Sequence, residues 1–170
     1  MRVPVFVSCP TALNSDQQLR REVIVRLMEE MQLEPRALGR SDYPTDYPLR
    51  EVAVIAQHCS GGIILGFAQF SATAGVWKAG TSGERPLDGK APALFPTDWN
   101  HLEAGILFGL RLPLLIFRER GISGGVFDNG VTDVFVHDMP DPIPTSSQLE
   151  GLREVFLKWR GRVSDHYYRL

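Results

Sequence analysis

The chain has 170 residues, with 18 Lys and Arg against 20 Asp and Glu, for a formal charge of −2. That length suits one domain with its own core, burying roughly two thirds of its unfolded surface without disulfides or structural metal. The near-neutral balance gives no electrostatic argument for nucleic acid or a membrane surface, and no apolar run approaches the roughly 18 residues of a membrane span.

Cys9 and Cys59 are the only cysteines. With no CxxC pair and no clustered His beside them, they predict no metal site and fit a reducing compartment. The first residues lack a charged start followed by a long apolar run, so the expectation is a soluble, cytoplasmic protein.

Val3 to Ser8 is a valine-rich apolar run ended by Cys9-Pro10. Asn14-Ser15-Asp16 then opens a helix to about Met31, with Leu19, Val23, Leu27 and Met31 on its core face. A buried strand, a polar loop and a helix form the first half of a βαβ unit, and open α/β sheets bind ligands at the carboxyl end of such a strand. Ser8, Pro10 and Thr11 would line that crevice. The alternative for Ser8 and Thr11 is that they only satisfy backbone groups at the turn.

Leu33 to Leu38 reads as a second strand that Pro35 places at a sheet edge or bend. Asp42-Tyr43-Pro44 and Asp46-Tyr47-Pro48 then force an extended or turning backbone. Tyr43 and Tyr47 either stack on a ligand ring or cover the adjacent core. Leu49, Val52, Ile55 and Ala56 mark a helix from Pro48 to Cys59, and Ile63 to Phe67 reads as a central parallel strand buried on both faces. The residues from Phe67 onward would reach the ligand crevice. Ala68 to Pro96 shows no regular period and predicts a long functional loop. Its Trp77 anchors a lid, meets another subunit, or pins the loop to the core.

Pro96 stops that loop, and Thr97 or Asp98 can cap a helix whose Leu102, Ile106 and Leu110 recur as one apolar stripe. Glu103 lies at the edge of this stripe, and Ala104, Gly105 and Gly109 leave room for close approach of a strand or ligand. Leu112 to Phe117 is a further buried strand, and Gly121 to Gly130 is a glycine-rich connection with the turn signal Asp128-Asn129-Gly130. Neither GxGxxG nor a Walker pattern is present there. Val131 to Val136 reads as an edge strand. Ser146 or Ser147 caps a last helix to about Arg160, with Leu149, Leu152, Phe156 and Trp159 inward. The tail from Gly161 to Leu170 has no assignment.

This alternation argues an α/β protein with an open parallel sheet of about five strands and helices on both faces. The run Asp98-Trp99-Asn100-His101-Leu102-Glu103-Ala104-Gly105, followed by Gly109-Leu110-Arg111-Leu112-Pro113-Leu114-Leu115-Ile116, carries more. It resembles the nucleoside 2-deoxyribosyltransferase-like and TIR-like superfamily, whose helix reads Asp, two or three polar or small residues, Glu, apolar, Gly, then Ala-Leu-Gly-Lys-Pro-Val-Ile. Where the transferases favour Gly-Thr before the Glu, this chain has Trp99-Asn100-His101-Leu102. That difference turns the resemblance toward the bacterial TIR-like members, which act on NAD and mostly serve anti-phage defence.

The resemblance implies a three-layer flavodoxin-like form over residues 1–170 and a catalytic Glu103. It implies NAD or a nucleoside as substrate, no cofactor, and activity gated by assembly into a homo-oligomer or with a partner protein. Cleaving an N-ribosyl bond passes through an oxocarbenium-like state that a carboxylate beside C1′ can stabilise or trap covalently. Asp98 and Asn100 would bind ribose hydroxyls, with Trp99 a stacking surface. His101 faces differently from Glu103 and is expected at the surface. The helix dipole keeps a carboxylate at this position ionised while apolar neighbours push its pKa up, and the sequence leaves that contest open. Three expectations follow: an NAD-consuming glycosidase, a nucleoside deoxyribosyltransferase or nucleotide N-glycosidase, and a non-catalytic nucleotide sensor.

Overall fold

The computed structural model describes residues 2–39 and 47–169. Its main sheet contains β1 (Val3–Ser8), β2 (Leu33–Arg36), β3 (Gly62–Gly66), β8 (Leu114–Arg118) and β9 (Val136–Asp138), in the order β2-β1-β3-β8-β9, with every pairing parallel. This is the α/β, flavodoxin-like open sheet. The strands split their side chains with a period of two. Val5, Val7, Ile63, Leu65, Leu115 and Phe117 face one layer, which holds α1 (Ser15–Glu30) and α4 (Ser146–Tyr168). Phe6, Ile64, Leu114 and Ile116 face the other, with α2 (Pro48–Gln57) and α3 (Asp98–Gly109). Strands buried on both faces need no polar alternation, which is why β3 and β8 read as unbroken apolar runs.

Local signals set the helix ends. Asn14 caps α1 by accepting from Gln17 N at 2.9 Å while the Gln17 side chain returns to Asn14 N at 3.1 Å. Thr145, one residue before the predicted caps, does the same for α4 with Gln148. Capping of this kind satisfies backbone donors that the first turn leaves open. In α1 the inward face is Val23, Ile24, Leu27 and Met28, with Met31 beyond the helix end, while Leu19 stays exposed.

Four expectations are corrected. α4 does not stop at Arg160 but runs to Tyr168, because Gly161 faces open space and Val163 beyond it is fully buried. The last strand is Val136–Asp138 instead of Val131–Val136, since its position is set by parallel pairing with Ile116–Arg118. The stretch after Phe67 is not one irregular loop. β4 (Phe70–Ala72) pairs antiparallel with β7 (Ala93–Phe95), and β5 (Val76–Trp77) with β6 (Arg85–Pro86), so a two-part hairpin leaves the carboxyl side of β3 and returns into α3.

The fourth correction concerns α3. Leu102 and Leu110 are exposed, and the buried side chains are Asn100, Ala104 and Leu107. The stripe is therefore rotated. Ala104 lets the helix sit close to the sheet, whereas Gly105 and Gly109 have no atom near where a Cβ would stand.

From β8 to β9 the chain crosses without an α-helix. A single 3-10 turn at Gly125–Phe127 takes its place, and Phe127 is fully buried in the α2/α3 core. A methyl on Gly66 would overlap the Phe127 ring, so glycine at the end of β3 admits that ring.

A methyl on Gly61 would stand 2.6 Å from Val163 Cγ2 and 3.1 Å from the Trp159 ring, both on α4. Gly61→Ala is therefore expected to lower stability by about 1–3 kcal/mol through overpacking, read as a lower urea midpoint. A helix ending at Arg160 would remove the closest overlap, with Val163, and leave only the looser contacts with Trp159 and the Pro113 carbonyl, so the midpoint would fall much less.

Candidate functional site

The helices flanking the main sheet change face between β1 and β3, which is the topological switch point of an open α/β sheet. A cavity of about 260 Å³ opens near this carboxyl edge, lined by Cys9, Pro10, Thr11, Leu38, Gln69, Thr97, Trp99 and Glu103. The loop after β1, the residue beyond β2, the start of the hairpin after β3 and the first turns of α3 meet there.

The rotation of α3 explains how Glu103 reaches it. Asn100 is fully buried and donates from Nδ2 to Ser8 Oγ at 2.8 Å and more weakly to the Leu65 carbonyl at 3.4 Å. With Asn100 and Leu107 turned to the sheet, Glu103 lies one turn from each on a neighbouring face of the helix. Thr97 caps the helix by accepting from Trp99 N at 3.3 Å, which fixes the entry of the chain beside the cavity.

Desolvation raises the Glu103 carboxyl from 4.5 to about 7, and a hydrogen bond from the Ser8 hydroxyl partly opposes it. The Ser8 oxygen accepts from Asn100, leaving its proton to serve the carboxylate. Glu103 is thus a half-buried carboxyl group that changes charge near neutral pH, in a cavity, backed by the buried pair Ser8 and Asn100. Groups of this kind serve as acids, bases or nucleophiles.

The candidate residues fall into three groups. Glu103, Pro10, Thr11 and Trp99 line the cavity, Trp99 with 39% of its surface exposed. Ser8 and Asn100 stand behind it, both fully buried, and act on Glu103 instead of facing a ligand. Phe67 is fully buried in the α1/α4 core and does not reach the crevice, Trp77 packs on Phe95 out on the hairpin, and Asp98 is exposed on the neighbouring depression. Tyr43 lies outside the described residues.

Reasoning from sequence missed Leu38 and Thr97 as lining residues, and reached Cys9 and Gln69 only as members of the stretches Ser8 to Thr11 and Phe67 onward. The signal for Gln69 was its position just beyond the end of β3, two residues past the last buried ring. His101 is half-buried, with its ring edge-on to Phe127 at 5.4 Å.

A larger depression of about 580 Å³ lies farther along the same edge, lined by residues that include Gln17, Arg20, Glu119 and Asp141. Several of its polar groups are already engaged. Glu119 accepts from Ala68 N at 2.6 Å and Gln17 Nε2 at 3.0 Å, and Arg20 donates to the Pro140 carbonyl at 2.6 Å. Among the described residues no cluster of three or more His, Cys, Asp or Glu is placed to hold a metal ion, and no helix is long and apolar enough to cross a membrane.

Comparison with family models, curated proteins and solved structures gives no match for this chain. The functional reading therefore rests on the geometry of the site.

The pKa of Glu103 also governs stability. Its folded value lies above the unfolded one, so the folded state binds more protons between about pH 4.5 and 7, and stability falls as pH rises through that window. Glu103→Gln stays neutral throughout. At pH 8 it is expected to be more stable than wild type by up to about 3 kcal/mol, with the difference gone below pH 4.5, as read by urea unfolding at both pH values.

Proposed function

We propose that this protein is an N-glycosidase that cleaves the nicotinamide–ribose bond of NAD, with Glu103 as the carboxylate beside the anomeric carbon. The observation that carries the reading is the placement of Glu103, a desolvated carboxylate in a cavity at the switch point, oriented by Ser8 and Asn100. The resemblance of Asp98 to Gly105 to the TIR-like helix supports the same residue independently of the geometry. It also supplies the wider expectation of a role in bacterial anti-phage defence, with activity switched on by assembly.

The chemistry suits such a group. The C1′–N bond breaks with its electron pair leaving on the nicotinamide nitrogen, which departs neutral and needs no proton. Positive charge develops on C1′ and the ring oxygen, where an ionised Glu103 stabilises it or forms a covalent ribosyl intermediate. Water then adds, giving ADP-ribose and a proton, or a nitrogen of the adenine closes a cyclic product. The cationic nicotinamide ring itself favours the ionised carboxylate when the substrate binds.

The raised pKa also favours a second reading, base exchange or hydrolysis on a nucleoside. A neutral purine leaves more easily once protonated, and a carboxyl group with a pKa of about 7 can donate that proton. The 260 Å³ cavity is small for a whole dinucleotide, which fits this reading as well.

The test is incubation of wild type and Glu103→Gln with NAD, and separately with deoxynucleosides plus a free base, across protein concentrations that allow assembly. Nicotinamide release by wild type, reduced by roughly 10²–10⁴-fold in the variant, is the expected result. The pH profile of kcat/KM separates the readings. NAD cleavage needs ionised Glu103 and rises through about pH 7. A nucleoside reaction using Glu103 as acid falls above it. Base exchange without NAD loss would replace the first reading by the second.

A further inference from the structure

The Glu103 cavity has a neighbour that shares two of its lining residues. A depression of about 540 Å³ beside it is lined by Gln69, Phe70, Phe95, Pro96, Thr97 and Asp98, and shares Gln69 and Thr97 with the cavity. Its apolar wall is built on the hairpin that leaves β3. Phe70 and Phe95 are directly opposite in the β4/β7 pair, with ring centroids 6.1 Å apart, and Trp77 packs behind Phe95 at 5.8 Å. Phe70 is 64% exposed and Trp77 40%, so these rings form a surface patch instead of a core. Clustered rings held in water beside a cavity are a ligand-binding feature. A tilted ring pair presents a π-face to a planar heterocycle, and the exposed Asp98 carboxylate can accept from a vicinal diol. The Thr97 hydroxyl on the shared boundary accepts from Trp99 N and keeps its own proton for a ligand oxygen.

We propose that this depression is a second subsite, which takes the far purine nucleoside of a dinucleotide whose N-ribosyl bond lies at Glu103. The inference rests on the reading of Glu103 as the glycosidic carboxylate. The shared boundary of Gln69 and Thr97, which sets the ring patch beside the Glu103 cavity, favours a ligand over a protein partner. One molecule with a ring and sugar at each end can place one end in the 260 Å³ cavity, which is small for the whole, and the other in its 540 Å³ neighbour. On this account the hairpin selects dinucleotides over nucleosides, and Phe70 is the residue that makes the discrimination.

The experiment is calorimetric titration of Glu103→Gln protein, whose slowed turnover leaves the ligands intact over a titration, with NAD, nicotinamide mononucleotide and adenosine monophosphate. Adding Phe70→Ala is expected to weaken NAD roughly tenfold, abolish measurable binding of adenosine monophosphate and leave the nicotinamide mononucleotide unchanged, as loss of one base–ring stack predicts. Phe70→Tyr keeps the ring and restores both affinities. Phe70→Leu keeps an apolar side chain in the hairpin and fails like Ala, which separates stacking from hairpin integrity.

Equal loss for NAD and the mononucleotide, or no loss for either, overturns the subsite. So does a Phe70→Ala variant that dissociates an oligomer in sedimentation without changing adenosine monophosphate affinity. The two proposals fail separately. Ring-dependent binding of adenosine monophosphate in a protein that releases no nicotinamide preserves the subsite and removes the N-glycosidase. Nicotinamide release with identical kcat/KM for NAD in wild type and Phe70→Ala does the reverse.

Discussion

Everything proposed for this protein depends on the hydrogen bond from Asn100 to Ser8. An amide side chain with no accessible surface on a helix that packs against a sheet costs several kcal/mol unless its polar atoms find partners. Here Nδ2 reaches the Ser8 hydroxyl at 2.8 Å across the first layer of the core. The contact goes with the rotation of α3 about its own axis, which Leu107 also anchors. It turns Ala104 and Leu107 to the strands and leaves larger apolar side chains, Leu102 and Leu110, in contact with water. Small Ala104 permits the close packing, and the amide is satisfied on its nitrogen side alone, its Oδ1 being buried without a hydrogen-bond partner.

The same rotation settles the electrostatic contest at Glu103. A carboxylate in the second turn of a helix gains from the helix dipole only within that first turn or so, whereas desolvation acts on the whole charge. The carboxyl rises to about 7 despite the Ser8 hydrogen bond, so desolvation dominates. Ser8 both anchors Asn100 and donates to Glu103. Packing of the helix and protonation of the candidate catalytic group are thereby coupled through one hydroxyl. A group with this pKa exists in both charge states at neutral pH, which is the condition for either of the two glycosidic chemistries.

Much of the fold was legible because its strands are apolar on both faces and its helices carry ordinary caps. Val3–Ser8, Leu33–Arg36, Gly62–Gly66 and Leu114–Arg118 all lie within a residue or two of the apolar runs that announced them. Short exposed strands such as Val76–Trp77 carry no alternation, so the hairpin within residues 68–96 was invisible to periodicity. Gly161 looked like a helix stop, but an exposed glycine in a helix held by Trp159 and Val163 costs only about 1 kcal/mol. Glu103, Pro10, Thr11 and Trp99 were legible as a site from their positions at strand and helix ends. Phe67 was not excluded in advance, because which ring on a strand end turns to the core depends on the register with its neighbours. The inward turn of Asn100 was hidden for the same reason, since it is specified by a serine 92 positions earlier in the chain.

The most direct test of this account is the titration of Glu103 itself, followed by carbon NMR on protein labelled at glutamate side-chain carboxyls and assigned by loss of one resonance in Glu103→Gln. A midpoint of about 7, moving higher in Ser8→Ala where the opposing hydrogen bond is gone, is the predicted result. A midpoint near 4.5, unmoved by the serine substitution, would mean a solvated helix glutamate and would contradict the site on which the proposed chemistry stands.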